Sequence, residues 1–216
     1  MSGSERQRNS ATIYMVEHGL TPKDGTKTEI AHGWNSDGLT SEGRAAVRKT
    51  AAWLSDKKVS EIYSSDLERG VQTAEILRES LGIEKEVQQR MGLRPMNIGT
   101  LAGMTKEETA GPMDDLLSRK WKKAPGGESY GDFLSRFGKE LRTVIEESLE
   151  EAPGTCVYVT HSHNLGALPH LLSEGAKDYT TDAPVGNGGV VELKISDGGG
   201  KMTLRPVFEP NGSVGS

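Results

Sequence analysis

A chain of 216 residues, with 34% apolar, 26% charged and 5% aromatic residues, has material for one packed core and no break in composition that marks a second. Its formal net charge of -5 excludes a nucleic-acid backbone as partner, since no surplus of Lys and Arg is left to neutralise one. With a single cysteine, Cys156, an intramolecular disulfide is impossible, and no run approaches membrane-spanning length; a cytoplasmic protein with no membrane partner is expected.

Residues 1–10, MSGSERQRNS, lack the apolar stretch of a signal peptide and read as a disordered arm. ATIYMVE (11–17) is a β-rich run that stops at His18-Gly19, and a loop follows. From Thr40 to Lys57, Val47, Ala51 and Leu54 recur at helical spacing, with Thr40 as N-cap and Gly43 as a weak point. SEIYSS (60–65) is a short strand running into a second helix, DLERGVQTAEILRESLG, with Val71, Ala74, Leu77 and Leu81 on one face and Gly82 at its end. After a segment around Val87, GLRPMNIGTLAGMT (92–105) fits neither period and reads as a functional loop. The charged run RKWKK (119–123) reads as an exposed helix face.

A third long helix is expected from about Ser129 to Leu149, with Phe133, Phe137, Leu141, Val144 and Ile145 along its stripe. GTCVYVTH (154–161) is an apolar strand ending at His161, followed by a helix, NLGALPHLLSEG, that contains Pro169. GGVVELKI and KMTLRPV supply the last strands, which puts the domain at 11–206 and a flexible tail at 207–216. Strands and helices taking turns at these lengths predict an α/β fold with a largely parallel sheet covered on both faces.

Two of these strands end in the same way, with a histidine just past the last apolar residue. In open α/β sheets ligands bind beyond the carboxyl ends of the strands, so His18 and His161 can share one crevice. Arg69, early in the helix after the second strand, starts from the same edge. A neutral imidazole can attack phosphorus while cationic groups hold its equatorial oxygens, so the trio suits a phosphohistidine intermediate. Taken singly, each has a plainer reading: a solvated turn histidine, or an arginine paired on the surface with Glu68. The His161-x-His163 pair can in principle ligate a metal, but His32, Asp37 and His170 complete no recognised ligand set; no metal or cofactor is expected, and His163 and His170 read as structural.

The residues resemble the histidine phosphatase superfamily, also called phosphoglycerate mutase-like, over roughly residues 11 to 195. EHGLTPKD (17–24) is similar to the family's R-H-G-x-T-x-x-N, GWNSDGLTSEG (33–43) to its G-W...D..L-T..G stretch, and YSSDLERGVQTAEIL to its S-S-D-L-x-R-A-x-Q-T-A helix start. LRPMNIGTLAG resembles its L-R-E-x-x-F-G-x-x-E-G loop, GGESYGDFLSRF its G-E-S segment and VTHSHN its second histidine. The resemblance implies a three-layer α/β/α sandwich with a mixed, mostly parallel central sheet. It implies that His18 becomes phosphorylated, that Arg69 and His161 hold the transferring phosphoryl group, and that the Ser162 backbone N–H helps them. Glu17, Gly19, Thr21 and Asp24 match positions around the same pocket, and Arg94 and His32 lie in segments resembling its rim. The partner implied is a small phosphorylated metabolite; the oligomeric state is left open, with a homodimer as one option.

Three departures cut across this. Glu17 replaces the arginine of R-H-G, Asp24 the asparagine, and Pro95 the glutamate that protonates the leaving group. A unit-charge pair about 4 Å apart is worth on the order of 4 kcal/mol at an effective dielectric of 20, so an ionised Glu17 would weaken phosphate binding severely. A Glu17 that stays protonated would instead be a replacement acid, with Asp24, Glu128 or a water as the alternatives. The sequence therefore leaves two readings: a cofactor-independent phosphatase, or a catalytically impaired relative that binds phosphate or another protein.

Overall fold

Alternation within two central strands fixes the layers. In β1 (Ala11–Glu17), Ile13 and Met15 enter one apolar cluster and Tyr14 and Val16 another; in β4 (Gly154–Thr160), Cys156 and Tyr158 are divided from Val157 and Val159 in the same way. Both faces of these strands are buried, which is why their sequences run apolar without a polar alternate. The computed structural model describes residues 10–24, 29–150, 154–172, 185–196 and 201–212. Most of the expected N-terminal arm, the SEG end of the fifth helix and the last four residues lie outside the described residues.

The remaining elements are α1 (Ser41–Leu54), β2 (Glu61–Ser64), α2 (Glu68–Leu81), β3 (Gln88–Gln89), α3 (Lys106–Ser118), α4 (Tyr130–Glu150), α5 (Ser162–Leu171), β5 (Val190–Ser196) and β6 (Lys201–Phe208). The six strands lie in the order β3-β2-β4-β1-β5-β6. The first four are mutually parallel, and β5 and β6 are antiparallel additions on the far side of β1. Helices α1 and α2 cover one face through Val47, Ala51, Leu54, Ala74 and Leu77, while α4 and α5 cover the other through Phe133, Phe137, Leu141, Leu165 and Leu168. This is a mixed, mostly parallel α/β sandwich, as the resemblance implied.

Local rules account for the boundaries. Thr40 caps α1 by accepting from the Gly43 N–H, and α2 ends at Gly82, whose φ of 66° is left-handed. Gly43, a weak point for a helix, is required by packing: a Cβ there would lie 2.3 Å from the Leu20 carbonyl oxygen.

Three expectations need correction. The stretch before residue 129 contains a full helix, α3, hidden because Gly111 and Pro112 interrupt its apolar pattern. Its signal was the capping box at Thr105 and Glu108, whose reciprocal hydrogen bonds are both formed. The RKWKK run is the turn after α3 and not a helix face, with Trp121 76% exposed. Finally, β6 runs past the expected boundary at 206 to Phe208, and beyond it Lys49 Nζ donates to the carbonyl of the buried Pro210 and to the Asn211 side chain, so the chain is held as far as Asn211.

Candidate active site

The β-ladder itself brings the two histidines together. Strands β1 and β4 are parallel neighbours with Glu17 opposite Thr160, so the next residues, His18 and His161, leave the sheet side by side with ring centres 5.3 Å apart. Arg69 comes from the second position of α2, which follows β2 on the other side of β4. His18, Arg69 and His161 are all buried and line one cavity of about 340 Å³ together with Glu17, Asp24 and Ser162.

His18 has one ring nitrogen engaged and one directed elsewhere. Its Nδ1 lies 2.9 Å from the Gly19 carbonyl oxygen, an arrangement that places the ring proton on Nδ1 and leaves the Nε2 lone pair available. Burial, followed by the Arg69 charge, pulls its pKa down to about 3, so the ring is neutral across the physiological range. His161 is likewise held well below the ordinary imidazole value by burial and Arg69, and its Nε2 lies 2.8 Å from the Ser65 hydroxyl oxygen. Arg69 Nη1 and Nη2 each donate to a backbone carbonyl, of Asn35 at 2.8 Å and of Gly33 at 2.9 Å. Of its five N–H bonds that leaves three for a ligand. Arg69 Nε, His161 Nδ1 and Glu17 Oε2 are buried without a hydrogen-bond partner among the described residues, although buried polar groups are seldom left so.

The two carboxylates at the departed positions behave in opposite ways. Glu17 Oε1 stands 3.6 Å from His18 Nε2, and no ion pair links Glu17 to Arg69. Burial drives the Glu17 carboxyl well above the carboxylate range; the charge of Arg69 and the Ser162 N–H resist this, and the charge of Asp24 adds to it. Asp24 is buried to a lesser degree, and the hydrogen bond from His32 together with those from Thr21 outweighs desolvation and holds it far below the usual range. Asp24 is thus held in its anionic form at neutral pH with both oxygens hydrogen-bonded, which makes it a poor candidate for the acid. Glu128 is removed too: it does not line the cavity, and its carboxylate accepts from the Asn97 N–H and from Arg136, organising the loop whose Pro95 and Ile98 do line it.

Three expected site residues do not line the cavity. Gly19 is a packing glycine: a Cβ would meet Val47 Cγ2 at 2.9 Å, and its N–H donates to the Thr73 hydroxyl. Thr21 is fully buried and donates its hydroxyl to Asp24. Arg94 makes a two-pronged contact with Asp66, 2.6 Å at each nitrogen, and stacks over the Trp34 ring. His32 does line the cavity, with Asp24 at one ring nitrogen and Asp37 at the other. Among the lining residues that sequence reasoning missed are Ile30 and Ala31, then Lys106, Thr109, Ala110, Met113, Asp114 and Leu117, all on the unforeseen α3, and His163, which had read as structural.

The model of the histidine phosphatase superfamily (branch 1) matches residues 13–206. A Yersinia enterocolitica protein named "Probable phosphoglycerate mutase GpmB" is 26% identical over 166 residues, 74% of each chain. Among solved structures, a mycobacterial glucosyl-3-phosphoglycerate phosphatase superposes with a TM-score of 0.72 at 23% identity, covering 93% of this chain and 99% of that one. A phosphoglycerate mutase from Bacillus anthracis superposes with a TM-score of 0.78 at 22% identity, covering 95% of this chain and 96% of that one.

Proposed function

Since the chain belongs to the histidine phosphatase superfamily, we propose that it hydrolyses a small phosphomonoester through a phosphorylated His18, with Glu17 as the acid. The observation that carries this reading is the set of unspent buried groups on Arg69, His161 and Glu17 around the free Nε2 of a neutral His18. Glu17 in its acid form is a donor, so it replaces the hydrogen bonding of the lost arginine without placing a negative charge against the phosphate.

In the first step His18 Nε2 attacks phosphorus; the N–P bond forms as the P–O bond to the alcohol breaks, and the alcohol leaves with the Glu17 proton. Arg69, His161 and the Ser162 N–H stabilise the equatorial oxygens. In the second step the Glu17 carboxylate takes a proton from water as that water attacks phosphorus, breaking the N–P bond and releasing phosphate. A mutase would have to hold a second acidic substrate. Among the described residues the lysines and arginines lining the cavity are Arg69 and Lys106, and Lys106 is ion-paired with Glu29.

Phosphate release from p-nitrophenyl phosphate between pH 4 and 8, for the unaltered protein, His18→Ala and Glu17→Arg, tests the reading. Expected is activity that His18→Ala abolishes and that declines on the alkaline side as Glu17 ionises and its charge repels the phosphate. No activity in the unaltered protein with activity gained in Glu17→Arg would overturn it in favour of a silenced, phosphate-binding relative.

A further inference from the structure

Beyond the phosphoryl site most of the cavity wall is carbon. Ile30, Ala31, Ile98, Ala110, Met113 and Leu117 line it, and its polar members are Thr109, Lys106, which is ion-paired with Glu29, and Asp114. The Thr109 hydroxyl donates to carbonyls of its own helix, so a sugar or a glycerate would set several hydroxyls or a carboxylate against a wall that offers few free partners.

The wall also continues. A second cavity of about 230 Å³ adjoins the first, sharing Leu117, Ser162 and His163, and carries on to Tyr130 and Gly166. Burial, with Arg69 and Lys106 nearby, pulls the His163 imidazole down to about 4, so the ring between the two spaces is uncharged at neutral pH. Gly166 is exposed on α5, and a Cβ built on it meets nothing within 4 Å, so the far end of this groove is open.

We propose that the leaving group is an elongated apolar alcohol, alkyl or arylalkyl, that runs from the phosphoryl group at His18 past Leu117 and His163 into the groove between Tyr130 and Gly166. The inference rests on the hydrolase reading for the identity of the site, and binding tests it apart from turnover. Calorimetric titration with methyl-, butyl- and octylphosphonate, whose C–P bond this chemistry does not cleave, reads affinity alone. Burial of about 0.8 kcal/mol per methylene corresponds to roughly a fourfold gain each, so octylphosphonate is expected to bind on the order of 50-fold or more tighter than butylphosphonate. Gly166→Phe, and the milder Gly166→Leu, fill the groove from an exposed helical position and should remove most of the octyl gain while leaving methylphosphonate unchanged. Equal affinity along the series in the unaltered protein, or an undiminished octyl gain in both variants, would overturn the inference. The expected pattern without hydrolysis of any phosphate ester would support the groove and overturn the hydrolase reading alone.

Discussion

The floor and the outer wall of the cavity are built on different principles. The floor is an extension of the β-ladder: Glu17 faces Thr160 in register, the His18 N–H donates to the Thr160 carbonyl, and both histidine rings are buried at the edge of a rigid sheet. The wall is two loop segments clipped together. A lone bridge joins Ile30 to Thr105, the Ala31 N–H donates to Met104 and the Lys106 N–H to Glu29, and α3 stands on that clip. Reacting groups need positions fixed to fractions of an ångström, which a ladder supplies; leaving-group recognition needs only a surface of the right polarity.

The strongest way to break this comparison is His18→Ala. If the floor alone does chemistry, hydrolysis falls by a factor of roughly 10⁴ or more while octylphosphonate affinity changes little, since the wall is intact. A parallel loss of phosphonate binding, read by calorimetry, would mean that floor and wall are one unit.

Glu17→Gln sharpens the assignment within the floor. Glutamine keeps the shape and an N–H donor but cannot deliver the proton. Hydrolysis of an alkyl phosphate is expected to fall by about 10² to 10⁴, and that of p-nitrophenyl phosphate, whose phenolate leaves unprotonated, by far less. Equal losses on both esters would make Glu17 a binding group only, and a gain on both would revive the silenced-enzyme reading.

The floor should also betray itself in stability against pH. The folded His18 and His163 values of about 3 and about 4 lie below the usual imidazole value of 6.5. Below pH 6.5 the unfolded chain therefore takes up protons that these two folded rings, one in the floor and one beside it, refuse, and stability is lost as pH falls towards 4. Glu17 has the opposite sign: its folded value lies above 4.5, so its contribution is complete below pH 4.5 and is lost as pH rises through the folded value. Urea midpoints measured across pH should show both limbs, with His18→Ala flattening the acid one and Glu17→Gln the alkaline one.

How much of this the sequence disclosed follows the same division. Strands β1 and β4 were legible as continuous apolar runs, and α1, α2 and α4 because each has one repeating apolar face; the His18, Arg69 and His161 cluster followed from where those elements begin and end. Gly19 was assigned to the pocket because a motif shows adjacency in sequence, whereas its packing against Val47 depends on the fold. Arg94 misled for a related reason: a cation near a phosphate site looks like a ligand until the Asp66 carboxylate and the Trp34 ring are found around it. The wall was the least legible part. Helix α3 sends Leu116 into the core but gives Ala110, Met113 and Leu117 to the cavity, so it needs no full stripe, and a helix containing Gly111 and Pro112 has no clear period to detect.

The smallest expected effect tests the wall at that weak point. Thr105 is the N-cap of α3 and also the bridge partner of Ile30: its hydroxyl secures the helix and its backbone the clip. Thr105→Ala removes the side-chain half of the capping box, at a cost of about 1 kcal/mol confined largely to α3. Because α3 carries the cavity's Met113 and Leu117, the variant should weaken octylphosphonate binding severalfold while leaving methylphosphonate affinity and the rate on p-nitrophenyl phosphate unchanged. Hydrogen exchange separates the causes. Faster exchange limited to the amides of α3 would locate the loss in the wall, whereas acceleration spreading into β1 and β4 would show that the floor depends on the wall after all.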